Sequence, residues 1–405
     1  MEPWIGPQWI SSQYNFTSEA RAGLDFPKRI TIYDVTLRDG EQMPGIVFRK
    51  EERIRIAKAL DEIGIPRIEV GLPGSSTEDF EGIKEIVRMG LNAQIGVFSR
   101  ARKDDIDLAV KCGVDSIVIS LPSSTRMIEK GFKWTKDKVK ELAIETTSYA
   151  KERGLRVTYF PVDTTRGDPD FLRELITAVV NESHVDAVAL VDTFGCATPQ
   201  AISYLVKQMK NWVDVTIEAH CHNELGLAMA NSLAALAAGA EVVHTTVNGL
   251  GERGGMTPTE ELAVALRILY NVDLGLKHNQ LQGLSKLVQE ASGINLPPYK
   301  PVVGETAFAY EAGIPVMISQ NLVAENQLQA CLSYLPEFVG NEFKIVLGKK
   351  SGKHGVKQRL QKRSIEAGDE EVDKILLKVK ELSIREKRAV TEEEFDKISK
   401  EVLKR

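Results

Sequence analysis

The chain has 405 residues, of which 43% are hydrophobic and 27% charged, with a formal net charge of −5. That length exceeds what one hydrophobic core usually fills, so two or three domains are expected, although an α/β barrel can use about 250 residues as one unit. The acidic balance argues against a general nucleic-acid or membrane-surface binder. No apolar run approaches the roughly 20 residues that span a bilayer, and the start MEPWIGPQWISSQ lacks the basic and apolar parts of a signal peptide.

In chain order, residues 1–28 form an N-terminal extension carrying Trp4, Trp9 and Phe16 without clear periodicity. Residues 29–272 then alternate short apolar runs with amphipathic stretches. Eight strands are expected: RITIYDVTL (29–37), PRIEVGL (66–72), AQIGVFS (93–99), DSIVISL (115–121), LRVTYFPV (155–162), VDAVALVD (185–192), VTIEAHC (215–221) and EVVHTTVNG (241–249). Their near-continuous Val/Ile content suits parallel strands covered on both faces. Eight βα units in this length fit an α/β (β/α)₈ TIM barrel better than a doubly wound sheet. Residues 273–405 read as a smaller, mainly helical C-terminal region ending in charged helices. Cys112, Cys196, Cys221 and Cys331 lie far apart with no CxxC pair, as reduced thiols of a cytoplasmic protein would.

Polar residues able to do chemistry cluster where the strands end: LRDGEQ, GLPGSS, DTFGCATP, HCHNELG and NGLGERGG. In a barrel these ends converge on one mouth, where such enzymes place their sites. His220 and His222 sit at i and i+2, so on a strand both imidazoles face one space. They read as metal ligands or as hydrogen-bonded polar residues near a sheet end. Asp39 completes a His₂–carboxylate set with open coordination positions, the mark of a catalytic metal. Arg38 is either the donor that stabilises an oxyanion beside that metal or a salt bridge at the rim. Thr193 can bind a substrate carboxylate or only its own backbone. Gly249-x-Gly251-x-x-Gly254 matches a dinucleotide fingerprint, but it follows the last strand and holds the charged Glu252 and Arg253. Thr257, Pro258 and Glu260 read as N-cap, first and third positions of a helix whose start faces the mouth, where an anion can sit.

DVTLRDGEQ, VDTFGCATP, HCHNELGLAMANSLAALAAGA and VNGLGERGG together resemble the DRE-TIM metallolyase superfamily, with YLPEFVGNEFKIVLGKKSGKH similar to the segment after the barrel in its synthases. The nearest members by motif are the 2-isopropylmalate, citramalate and homocitrate synthases, with 3-hydroxy-3-methylglutaryl-CoA lyase more distant. The resemblance implies a divalent metal (Mg²⁺, Mn²⁺ or Zn²⁺) on Asp39, His220 and His222, and Arg38 as electrostatic catalyst. It implies Thr193 on the carboxylate of a 2-oxo acid, an acyl-CoA (acetyl-CoA) as co-substrate, a homodimer, a place in amino-acid biosynthesis, and no leucine-sensing regulatory domain.

The chain also departs from the family. GETAFAYEAGIPV has Tyr310 and Pro315 where synthases carry histidines, with Tyr310 left as the candidate for proton transfer. Val162 stands for a glutamate, Met256 for an asparagine, and Cys331 lies where a tyrosine is common. Three readings stay open. One is a Claisen-type condensation of acyl-CoA with a 2-oxo acid. Another is a lyase cleaving the same type of bond. The last is an inactive metal-binding homologue serving as a regulatory subunit.

Overall fold

The computed structural model describes residues 2–404. Two compact units emerge, one of Tyr14–Leu296 and one joining the N-terminal stretch up to Gln13 with the residues from Pro297 onward. The first takes in part of the N-terminal extension and the helix Leu281–Ser292, beyond the boundaries expected at 28 and 272.

The first unit is a closed barrel of eight parallel strands in sequential order. These are β1 (Thr31–Asp34), β2 (Arg67–Glu69), β3 (Gln94–Arg100), β4 (Ser116–Pro122), β5 (Arg156–Val162), β6 (Ala187–Asp192), β7 (Thr216–Cys221) and β8 (Val242–Thr245). β8 closes on β1 with Thr31 opposite Val242. All eight expected strands are present, but β1, β2 and β8 are shorter than the apolar runs. β1 stops because Thr36 N donates to the Asp34 carboxylate at 3.0 Å, which turns the chain. β8 gives way to a turn in which Asn248 has a φ of 65°.

Between consecutive strands run the helices Lys50–Ile63, Thr77–Arg88, Lys103–Cys112, Lys136–Glu152, Pro169–Ser183, Pro199–Trp212 and Ala228–Ala237, with Thr259–Tyr270 after β8. The apolar faces of these helices and the outward strand residues form the main core. A small inner core, including Tyr33, Val118, Phe160, Ala189 and Val191, fills the barrel itself. Side chains alternate across each strand, so one residue set builds the outer layer and the other the lumen.

In the second unit β9 (Ala309–Tyr310) pairs in parallel with β10 (Lys344–Ile345). The helices Lys353–Gln361, Asp369–Glu386 and Glu392–Leu403 follow the expected charged segments, the uncharged helix Gly313–Ala324 precedes them, and Leu347, Val356, Val372, Ile375 and Phe395 make a separate core. Trp9 of the N-terminal extension belongs to this unit. It is buried, bridges to Tyr334 and packs on Phe338 at 5.5 Å between ring centroids. Among the described residues no helix is long and apolar enough to cross a membrane.

Candidate metal centre at the barrel mouth

Asp39, His220 and His222 come together, buried, with all three ligand atoms within 4.8 Å of one another. Asp39 lies on a turn beyond β1 rather than on the strand, because Arg38 N and Asp39 N both donate to Val35 O, at 3.1 and 2.8 Å. His220 is in β7 and His222 just past its end, on the same face; Cys221 between them is fully buried. The Asp39 Oδ2 is 3.4 Å from His220 Nε2 and 3.9 Å from His222 Nε2, and the two Nε2 atoms are 3.2 Å apart. Bonds of about 2.0–2.2 Å to one metal bring neighbouring ligands to roughly 3.0–3.5 Å; two of the three pairs fall in that range and the His222–Asp39 pair is slightly wide, so the donor set fits a divalent ion after a small closure.

The electrostatics agree. Burial drives the His220 pKa well below the usual histidine range, leaving a neutral imidazole with a lone pair to give. Burial would raise the Asp39 carboxyl, but the Arg38 guanidinium beside it outweighs burial and keeps Asp39 ionised. Arg38 donates from Nε to Glu69 and from Nη1 to Asp39 at 2.6 Å, and lies 4.4 Å over the Phe98 ring. Its Nη2 is buried with no hydrogen-bond partner.

The loop whose glycines match a dinucleotide fingerprint packs on this site, in line with its place after the last strand and its charged residues. A side chain on Gly251, whose φ is 156°, would come within 3.2 Å of Asp39 Oδ1. Gly255, at φ 83°, lets its carbonyl accept from Asn223 N at 2.9 Å, just past the histidine pair. Only glycine tolerates both the conformations and the approach. The expected cap is also corrected. The helix begins at Thr259 with Pro258 as N-cap. Thr257 shares a hydrogen bond with Ser232, and Glu260 accepts from Asn248 N at 3.0 Å. Thr259 N donates to Thr246 O at 2.9 Å, so the first amide of that helix is already taken.

Thr193 follows the last residue of β6, and the pairing of Asp192 with Cys221 sets it level with His222. Its Oγ1 accepts from Asp163 N at 2.7 Å, neither from its own backbone nor in a way that uses the hydroxyl hydrogen. Asp192 is a loop organiser, accepting from Thr165 Oγ1, Cys196 N and Asn231 Nδ2. Tyr310 belongs to the second unit, on β9; its hydroxyl donates to Cys331 O at 2.6 Å, and burial raises its pKa, so it holds its proton.

Three residues escaped the sequence reading: Glu69 under Arg38, and Glu218 and His244 behind His220. Each interrupts an apolar strand with a charge or an imidazole, and Glu218 shares the parity of His220 and His222, which was the available signal.

Comparison with known proteins accounts for this arrangement. Residues 29–288 match the HMGL-like family model, and residues 302–387 match the homocitrate synthase post-HMGL domain-like model. The homocitrate synthase AksA of Methanothermobacter thermautotrophicus is 41% identical over 96% of this chain and 97% of its own. The 2-isopropylmalate synthase of Methanocaldococcus jannaschii is 40% identical over 95% of this chain and 74% of its own. A putative (R)-citramalate synthase of Methanopyrus kandleri is 38% identical over 96% of this chain and 75% of its own. Among solved structures the HMG-CoA lyase of Bacillus subtilis shares the fold, with a TM-score of 0.60, 20% identity, and coverage of 68% of this chain and 97% of that one. The chain therefore belongs to the HMGL-like family, within the DRE-TIM metallolyase superfamily.

Proposed function

We propose that this protein joins the acetyl methyl carbon of acetyl-CoA to the keto carbon of a 2-oxo acid, with release of free CoA after thioester hydrolysis. The observation that carries this reading is the buried Asp39–His220–His222 set with the unpaired Nη2 of Arg38 next to it. Relatives named as homocitrate, 2-isopropylmalate and citramalate synthases, at about 40% identity over most of the chain, support condensation over cleavage.

A bound divalent ion supplies Lewis acidity toward the keto group and anchors the acceptor. Arg38 stabilises the negative charge that develops on the keto oxygen when the new carbon–carbon bond forms, and its pairing with Glu69 and Asp39 holds the guanidinium ready. Thr193, with its hydroxyl hydrogen uncommitted, donates to the acceptor carboxylate.

A cavity of about 500 Å³ lies at the ends of β3, β4 and β5, lined among others by Phe98, Met127, Phe132, Trp134, Leu142 and Val162. Phe98 also lies under Arg38, which supports an acceptor whose apolar side chain enters this cavity. A homodimer is supported by the helix Gly313–Ala324, which leaves Ile314 69%, Ile318 42% and Val323 50% exposed.

The test is to incubate metal-loaded protein with acetyl-CoA and a panel of 2-oxo acids and follow free thiol. Thiol release that needs both the metal and an acceptor, strongest for acceptors with a branched apolar side chain, is expected. No release with any acceptor would overturn the reading.

A further inference from the structure

Behind the candidate metal ligands runs a buried line of polar groups that crosses the barrel interior. The guanidinium of Arg67 donates to Glu218 Oε1 at 2.6 Å. Glu218 Oε2 lies 2.8 Å from His244 Nε2. His244 Nδ1 lies 3.1 Å from His220 Nδ1. The far nitrogen of that last ring, His220 Nε2, faces Asp39 and His222. None of the four residues is more than 6% exposed, so water does not compete for these bonds.

The proton positions follow from the partners. A carboxylate only accepts, so His244 Nε2 carries the hydrogen. A neutral ring has one N–H, so His244 Nδ1 is bare and accepts. Only one hydrogen fits between the two Nδ1 atoms, and it belongs to His220. The Nε2 of His220 is then left with its lone pair toward Asp39 and His222. Reverse the first bond and each hydrogen moves along, until His220 presents an N–H where a metal needs a lone pair.

We propose that Glu218 and His244 are positioning residues that fix His220 in its metal-binding tautomer, with Arg67 orienting the carboxylate that sets the order. This rests on the metal reading of Asp39, His220 and His222. Hydrogen-bond partners behind a ligating histidine set its tautomer and orientation, and their loss commonly weakens metal binding about 10–100-fold.

The deciding variant is Glu218→Gln, which keeps size and shape. Arg67 can only donate, so the amide oxygen turns to Arg67 and the amide NH₂ to His244 Nε2. That inverts the whole line without removing a contact. On full-length, metal-free protein labelled with ¹⁵N-histidine, the parent should show His220 bare at Nε2, and Glu218→Gln should show it protonated there. Zn²⁺ affinity, measured by chelator competition, should fall about 10–100-fold in Glu218→Gln, with an unchanged melting temperature for the metal-free form. His244→Gln, which can still donate to Glu218 and accept from His220, should bind Zn²⁺ better than His244→Leu, which can do neither; this pair decides if Glu218→Gln does not fold. Parent-like Zn²⁺ affinity in Glu218→Gln, or an unchanged His220 tautomer, overturns the proposal. Undiminished Zn²⁺ binding by His222→Ala would instead overturn the metal reading, and the tautomer spectra would still judge the relay.

Discussion

Replacing Arg38 separates catalysis from structure. The guanidinium uses Nε on Glu69 and Nη1 on Asp39, stacks on Phe98 and keeps Nη2 unpaired. Alanine removes that unpaired donor, and loss of one oxyanion donor typically lowers kcat about 10²–10³-fold, or about 3–4 kcal/mol. It also strands two buried carboxylates, Glu69 at 0% and Asp39 at 1% exposure. Breaking a buried pair from one side costs about 3–5 kcal/mol of stability. Arg38→Ala should therefore lose both activity and stability, and adding Glu69→Gln should recover part of the stability but none of the rate. Lysine restores one charge but cannot reach both carboxylates and leave a donor over, so Arg38→Lys should fall between parent and alanine in both properties. The assays are thiol release on protein whose metal content has been verified, and urea unfolding of the metal-free form. An unchanged kcat in fully metallated Arg38→Ala would reduce Arg38 to a salt bridge at the rim.

His220→Ala and His222→Ala should each abolish stoichiometric metal binding and activity while the far-ultraviolet circular dichroism stays that of the parent; full occupancy in both would remove the site. Burial raises the Asp34 carboxyl to about 6, in spite of hydrogen bonds from Thr36 and Thr259. The folded state thus holds a proton that the unfolded chain, with a pKa of about 3.9, releases earlier. This group's contribution to stability falls as pH rises from about 4 to 6, and Asp34→Asn should flatten urea midpoints across that window; parallel curves would contradict it. Light scattering should find a dimer at micromolar concentration, weakened by Ile314→Glu and Ile318→Glu together. A parent that is monomeric and fully active would contradict the dimer.

The barrel was legible because its signals are local and repeated: Val/Ile runs at regular spacing, each followed by polar residues. The HxH pair was legible from strand parity alone. What the sequence concealed depends on contacts far apart in the chain. Asp34 ends β1 by capturing Thr36, so Asp39 reaches the histidines from a turn. Glu69 and Arg67 look like ordinary polar interruptions of PRIEVGL, yet Glu69 meets Arg38 beyond the neighbouring strand and Arg67 meets Glu218 across the lumen. The glycines after β8 matched a phosphate-binding pattern because both tasks demand backbone without side chains; what they approach here is Asp39. Trp9 showed no periodic context because the ring it packs on, Phe338, lies more than 300 positions away.

Carbon–carbon bond formation at this mouth can be followed in the product itself. Metal-loaded protein is given acetyl-CoA carrying ¹³C in the methyl carbon, together with the 2-oxo acid that releases most thiol, and the ¹³C spectrum is followed. The label should appear as a methylene joined to a carbon bearing a hydroxyl and a carboxylate, and His222→Ala should give none. Label recovered only as free acetate, while thiol is still released, would mean simple thioester hydrolysis and would contradict the account.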